Sequence, residues 1–298
     1  MVKPATLDGY NNQYTLDCER VLVTLLRGLG PWKQSVYLIG GLTPRYLVPA
    51  RPPNVPAHAG TMDVDIVIEL EILANIEAYQ SLEENLKKMG FARAENEKQQ
   101  KLSWRWETRT ESGTLMRLEF LTDAPEAAGG RVRPLPTDGT LSALNIPHSS
   151  IVFDLHQVTE IEAELLGGNG IAIETVKHAN LVSFTCLKSF AFDERNERKD
   201  AHDLIYCLEH TVERPAAVAD EFRSALSGKH AAVIRRALEV LRSRFTRSET
   251  IEGHLKDGPV SVAKFELGEG DEPELREARI LRQRQVSDVI DQLLARIE

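Results

Sequence analysis

The stretch Thr61-Met-Asp-Val-Asp-Ile-Val-Ile68 decides how the chain is read. It alternates apolar and acidic residues, and in a strand alternate side chains share a face. Asp63 and Asp65 therefore point one way, and Val64, Ile66 and Ile68 point the other, into a core. Two carboxylates on one edge repel unless a cation or a proton sits with them. Oxygen ligands in such a pair suit magnesium. A strand whose acids simply keep one face wet fits a lone Asp-x-Asp as well. The apolar flanks and a glycine pair upstream favour the cation.

That glycine pair ends Val36-Tyr-Leu-Ile-Gly-Gly41, a strand running into a turn. Glycine lets a backbone approach a neighbouring group closely. The following Leu42-Thr-Pro-Arg-Tyr-Leu-Val48 can begin a helix, whose free amides favour a phosphate. A plain turn is the other reading of Gly40 and Gly41. No Walker loop and no Gly-x-Gly-x-x-Gly fingerprint is present.

Downstream, Met116-Arg-Leu-Glu-Phe-Leu121 reads as a strand with Met116, Leu118 and Phe120 facing the core. Glu119 then emerges on the opposite face, where it can complete a three-carboxylate site with Asp63 and Asp65. Such a cation holder is what phosphoryl and nucleotidyl transfer requires. Asp154, in an expected strand Ile151–Leu155, is the next candidate for the third acid.

The other informative segment is Leu181 to Leu204. At helical spacing Lys188, Arg195 and Lys199 fall within roughly 40° of one another, with Ala191 and Asp203 near the same stripe. Lys188 sits among apolar residues, where a charge needs a reason. A bound phosphate is one; a snorkelling lysine with ordinary helix-pair salt bridges is the other.

Around these segments, helices are expected over residues 16–30, 71–89, 181–194, 198–210, 215–246 with a break near Gly228, and 274–296. Further strands are expected over 35–39, 101–109 and 114–121, with another pair flanking Gly167–Gly170. Loops are expected over the proline-rich residues 49–61, most of 122–150, and 252–273. The fold class is therefore mixed α and β in one domain, 1–175, followed by a mostly helical domain, 176–298.

The 298 residues carry a formal charge of -9, which gives no general reason to expect a nucleic-acid coat. Cys18, Cys186 and Cys207 lie far apart, arguing against structural zinc and a disulfide scaffold. The absence of an apolar leader or a membrane-length apolar run leads to an expected cytoplasmic location with no membrane partner.

Together these pieces resemble the nucleotidyltransferase superfamily that includes DNA polymerase beta. Its mark is Gly-Gly or Gly-Ser after a strand and Asp-x-Asp in the next, matched here by Gly40-Gly41 and Asp63-Val64-Asp65, with Glu119 as the later acid. His58-Ala-Gly-Thr61 matches the basic and hydroxyl residues often found before the acid pair. The pattern Lys188-x-x-Ala191-x-x-x-Arg195-x-x-x-Lys199-Asp200-x-x-Asp203-Leu204 is similar to that of the AbiEii-type nucleotidyltransferases, toxins of toxin–antitoxin systems and their relatives. The likeness covers roughly residues 20–210. The gap from Gly41 to Asp63 is longer than usual in the family, and Gly41 stands where many relatives have serine.

The resemblance implies a nucleotidyltransferase α/β domain, a helical domain, and a nucleoside triphosphate between them. It implies Mg2+ held by Asp63, Asp65 and Glu119, with Glu119 acting on the acceptor hydroxyl. It implies phosphate contacts from Lys188, Arg195, Lys199 and the amides of Gly40 and Gly41, with Asp200 and Asp203 orienting those cations. An RNA, a protein or a small molecule could be the acceptor, and a cognate antitoxin could be a partner. A catalytically silent protein that keeps the fold is the alternative.

Overall fold

A computed structural model describes residues 4–74, 82–137, 140–210 and 215–298. A mixed β-sheet region is followed by a mostly helical C-terminal region. In chain order the elements are α1 (Asn12–Leu29), β1 (Val36–Ile39), α2 (Pro44–Leu47), β2 (Asp63–Ile68), α3 (Leu70–Ala74), α4 (Leu82–Lys88), β3 (Ala92–Glu95), β4 (Lys101–Arg109) and β5 (Leu115–Thr122). There follow β6 (Val132–Pro134), β7 (Ser142–Asn145), α5 (Ile151–Asp154), β8 (His156–Glu164) and β9 (Ile171–Ala179). The helical region contains α6 (Leu181–Arg195), α7 (Arg198–His210), α8 (Pro215–Leu226), α9 (Ala231–Phe245), α10 (Asp257–Leu267) and α11 (Pro273–Ile297).

The chain packs as two compact units. One comprises Asn12–Thr43 and Gly60–Asn180. Its sheet runs β3-β4-β5-β2-β1-β9-β8, with β7 added beside β5 and β6 beside β7. β1 and β2 are antiparallel, and β2 and β5 are parallel. This puts β2 at the centre, so its apolar face, Val64, Ile66 and Ile68, is buried together with Leu118 and Phe120 of β5 and Trp106 of β4. Helix α1 covers part of the sheet. Its buried residues Cys18, Val21, Leu22, Leu25, Leu26 and Leu29 recur at three- and four-residue steps, the spacing of one apolar helix face.

The other unit comprises Met1–Asn11, Pro44–Ala59 and Leu181–Glu298. The proline-rich stretch thus packs with the helices. Phe184, Phe192, Phe222, Phe245 and Phe265 are fully buried there. Between α6 and α7 the backbone turns at Asn196, whose φ of 52° is one that asparagine tolerates better than most residues. That turn folds α7 back on α6.

Three expectations need correction. Ile151–Asp154 is a short helix, not a strand, because a four-residue apolar run carries no periodicity to separate the two. Residues 257–267 form α10, although 252–273 reads as loop; Gly258 and Pro259 lie in its first turn, where a helix tolerates them. Strand β3 and the short β6 and β7 were not anticipated. The middle of the expected helix 71–89, residues 75–81, lies outside the described residues. No described helix is long and apolar enough to cross a membrane. The three cysteines are free and buried.

Candidate active site

The parallel pairing of β2 with β5 sets Asp65 opposite Glu119 and Asp63 opposite Arg117. The antiparallel pairing of β4 with β5 then sets Arg105 opposite Glu119 and Glu107 opposite Arg117. One sheet face therefore carries two charged rows across three strands, Asp65–Glu119–Arg105 and Asp63–Arg117–Glu107. The apolar residues between them in sequence occupy the other face, as strand alternation requires.

Asp63 is only 5% exposed, and Asp65 and Glu119 are half-buried. Arg105 Nε stands 2.8 Å from Glu119 Oε1, and the Arg105 guanidinium lies over the Trp104 ring at 4.5 Å. Arg117 makes no ion pair with a described residue, although two carboxylates flank it in register. The local field is negative. Burial, reinforced by the carboxylates of Asp63, Asp65, Asp17 and Glu19, pushes the Cys18 thiol well above its ordinary range.

Two local devices hold the acid pair. The Thr61 hydroxyl accepts from the Asp63 amide at 3.4 Å and lies 3.3 Å from the Asp63 carbonyl, fixing the start of β2. The glycine turn after β1 meets Asp65 directly, since Ile39 is its register partner. Gly40 has φ 74°, and a Cβ placed there would lie 2.0 Å from Asp65 Oδ2. No other residue fits that contact without displacing the carboxylate. Gly41 is buried in the same turn, Gly40–Leu42. Next to it, Thr43 is fully buried and its hydroxyl has no hydrogen-bond partner in the unit.

The second group of expected site residues belongs to the helical unit. Lys188 is 8% exposed. Its ammonium donates to Asp200 Oδ1 at 2.8 Å and Asp203 Oδ2 at 2.7 Å. Lys199 donates to both Asp203 oxygens, at 2.7 and 2.9 Å. Arg195 forks onto Asp200, at 2.6 and 3.0 Å. His58 completes the cluster, with Nε2 2.8 Å from Asp203 Oδ1. Burial alone would lower the Lys188 ammonium, but Asp200 and Asp203 outweigh it and hold it above its usual value. Burial opposes ionisation of Asp203, yet Lys188, Lys199 and His58 hold its carboxyl well below the carboxylate range. Lys199 shifts the other way: its burial outweighs Asp203 and lowers it.

The structure thus brings Asp63, Asp65, Glu119, Gly40 and Gly41 together in one unit, and Lys188, Arg195, Lys199, Asp200 and Asp203 in the other. Asp154, being on α5, is not a strand neighbour of β2. Sequence reading missed Arg105, Arg117 and Thr43. The two arginines needed the β4–β5 register; Thr43 lay two residues past the glycines and was open to notice. Among the described residues, the group of three metal-ligating side chains that has drawn closest is not the sheet acids. It is His58, His202 and Asp203, within 4.8 Å of one another. No family model matches the chain, and no curated protein matches it.

Proposed function

We propose that the chain is a magnesium-dependent nucleotidyltransferase of the polymerase-beta-like kind, acting at the β2–β5 sheet face. The observation that carries this reading is an acidic face in register, Asp65 beside Glu119, with the Gly40 backbone pressed against Asp65. Glu119 on that face pairs with Arg105. Asp63, Asp65 and Glu119 would hold Mg2+, whose charge offsets that of the transferring phosphate.

The chain's own residues do the rest. Gly40 and Gly41 let the backbone close around a triphosphate, and the unpartnered Thr43 hydroxyl offers it a donor. Arg117, flanking Asp63 without an ion pair, is suited to a phosphate oxygen. Glu119, paired with Arg105, would help hold that cation and orient the acceptor hydroxyl. In the helical unit Arg195 forks onto Asp200. Lys188 and Lys199 hold Asp200 and Asp203. The product is a nucleotidylated RNA, protein or small-molecule hydroxyl plus pyrophosphate. A toxin role with a cognate antitoxin is the biological setting this reading carries.

Transfer of labelled nucleotide to cell-extract RNA and protein tests the proposal. Glu119→Gln keeps size and removes charge. It should leave triphosphate binding within about threefold and cut transfer by at least about a hundredfold. A variant as active as the wild type would remove Glu119 from the site. No wild-type transfer with any of the four triphosphates to either acceptor class would favour a silent protein with the same fold.

A further inference from the structure

His58, His202 and Asp203 lie in one unit and each brings a ligand atom to within 4.8 Å of the others. The two imidazoles stack at 5.8 Å with 24° between planes. His202 directs Nδ1 to Glu266 Oε1 at 3.0 Å. Arg282 grips that glutamate at 2.6 and 3.0 Å, and Glu209 in turn, at 2.5 and 2.9 Å. With Nδ1 committed to a carboxylate, Nε2 is the nitrogen with a lone pair to give. That Nε2 is buried and has no hydrogen-bond partner, on a residue only 5% exposed. Tyr206 and Phe265 flank the ring and offer it no such partner. A buried imidazole nitrogen left unsatisfied is costly.

We propose that His58, His202 and Asp203 form a site for a zinc-class divalent ion, with Glu266 as the carboxylate behind His202. Two imidazole nitrogens and one carboxylate oxygen suit zinc or cobalt, whereas magnesium favours oxygen donors. Three protein ligands leave a fourth position for water. A carboxylate on the far side of a metal-binding imidazole fixes its tautomer, as Glu266 does here. Tetrahedral ligands at 2.0–2.1 Å from zinc lie about 3.3 Å apart, so the three side chains need to close by about 1.5 Å at most. His58 gives up its hydrogen bond to Asp203 in doing so. Lys188 and Lys199 already share Asp203, and Asp200 and Glu266 balance them against Arg195 and Arg282. A dication adds to that balance, so the site is one of moderate affinity. It would tie the end of the Pro44–Ala59 stretch to α7 and stabilise the helical unit. It uses none of the sheet acids and does not rest on the function proposed above.

The test uses tag-free full-length chain, stripped with chelator and then given zinc or cobalt in excess magnesium. The expected result is one zinc per chain, a cobalt visible spectrum of four-coordinate intensity, and a raised melting temperature. His58→Ala and His202→Ala should each weaken zinc uptake by at least about a hundredfold, and Glu266→Gln by about ten- to a hundredfold. Asp63→Asn should retain it. Absence of zinc uptake by the wild type overturns the site, as does uptake unchanged by His202→Ala or lost in Asp63→Asn. Should the alanine variants fail to fold, the ring-nitrogen resonances of two histidines in the wild type must move on adding zinc. None moving overturns it equally.

Discussion

Asp200 and Asp203, buried between α6 and α7, face Lys188, Lys199 and Arg195. On the sheet, Asp65 stands beside Glu119, which pairs with Arg105, and Asp63 stands beside Arg117. The helical unit has matched its acids with its own cations, and their charge is spent on packing two helices. The sheet sets its acids in rows on one face, and burial, with Asp63 and Asp65 adding to it, raises the nearby Cys18 thiol. The difference sets carboxylates that hold two helices together apart from those that the proposed function assigns to a metal ion.

The comparison is broken most easily at Lys188. Lys188→Met removes one charge from a buried network and leaves Asp200 and Asp203 under-compensated. Breaking a buried pair this way costs about 3–5 kcal/mol, so urea unfolding of the full chain should shift by that much. A loss below about 1 kcal/mol would make the cluster incidental.

Gly40→Ala comes next, because it strikes the sheet acids through the backbone. The new methyl would lie 2.0 Å from Asp65 Oδ2 at a φ of 74°. A cost of about 2 kcal/mol is expected. Part of it should vanish in an Asp65→Ala background, a coupling of about 1 kcal/mol. Strict additivity would show that the turn and the carboxylate do not meet.

Asp63→Asn and Asp65→Asn should do little to stability. Each relieves like-charge repulsion and keeps shape, so chemical unfolding should stay within about 1 kcal/mol of wild type. A large loss from either would place these acids with the structural set. Arg105→Met should have the smallest effect on stability, about 0–1 kcal/mol for a partly exposed pair. It should also tighten magnesium binding a few-fold by releasing Glu119; unchanged or weaker binding would show that Glu119 does not reach the ion.

How much of this was legible follows from the physics of each element. Alternation exposed β2 and β5, because Val64, Ile66, Leu118 and Phe120 fall on one face of the strands and Asp63, Asp65 and Glu119 on the other. The stripe of Lys188, Arg195 and Lys199 was legible as a helix face. Its burial against Asp200 and Asp203 was not, since that depends on the turn at Asn196 folding α7 back. Helix α10 was hidden by Gly258 and Pro259, which read as breakers unless their place in a first turn is known. His58 and His202 are far apart in sequence, and neither carries a spacing that could join them. Arg117 beside Asp63 depends on a parallel register, which no local pattern encodes.

The central claim is that the sheet acids, and not the helical ones, await a metal-bound nucleotide. The direct measurement is the melting temperature of wild type, Asp63→Asn and Asp65→Asn with magnesium plus each nucleoside triphosphate, after chelator treatment. Ligand binding raises the wild-type value by the mass-action term, about 2.7 kcal/mol at a hundred times Kd. The account predicts a rise of several degrees with at least one triphosphate, dependent on magnesium and largely lost in both variants. Equal rises in all three proteins, or none in the wild type with any triphosphate, would contradict it.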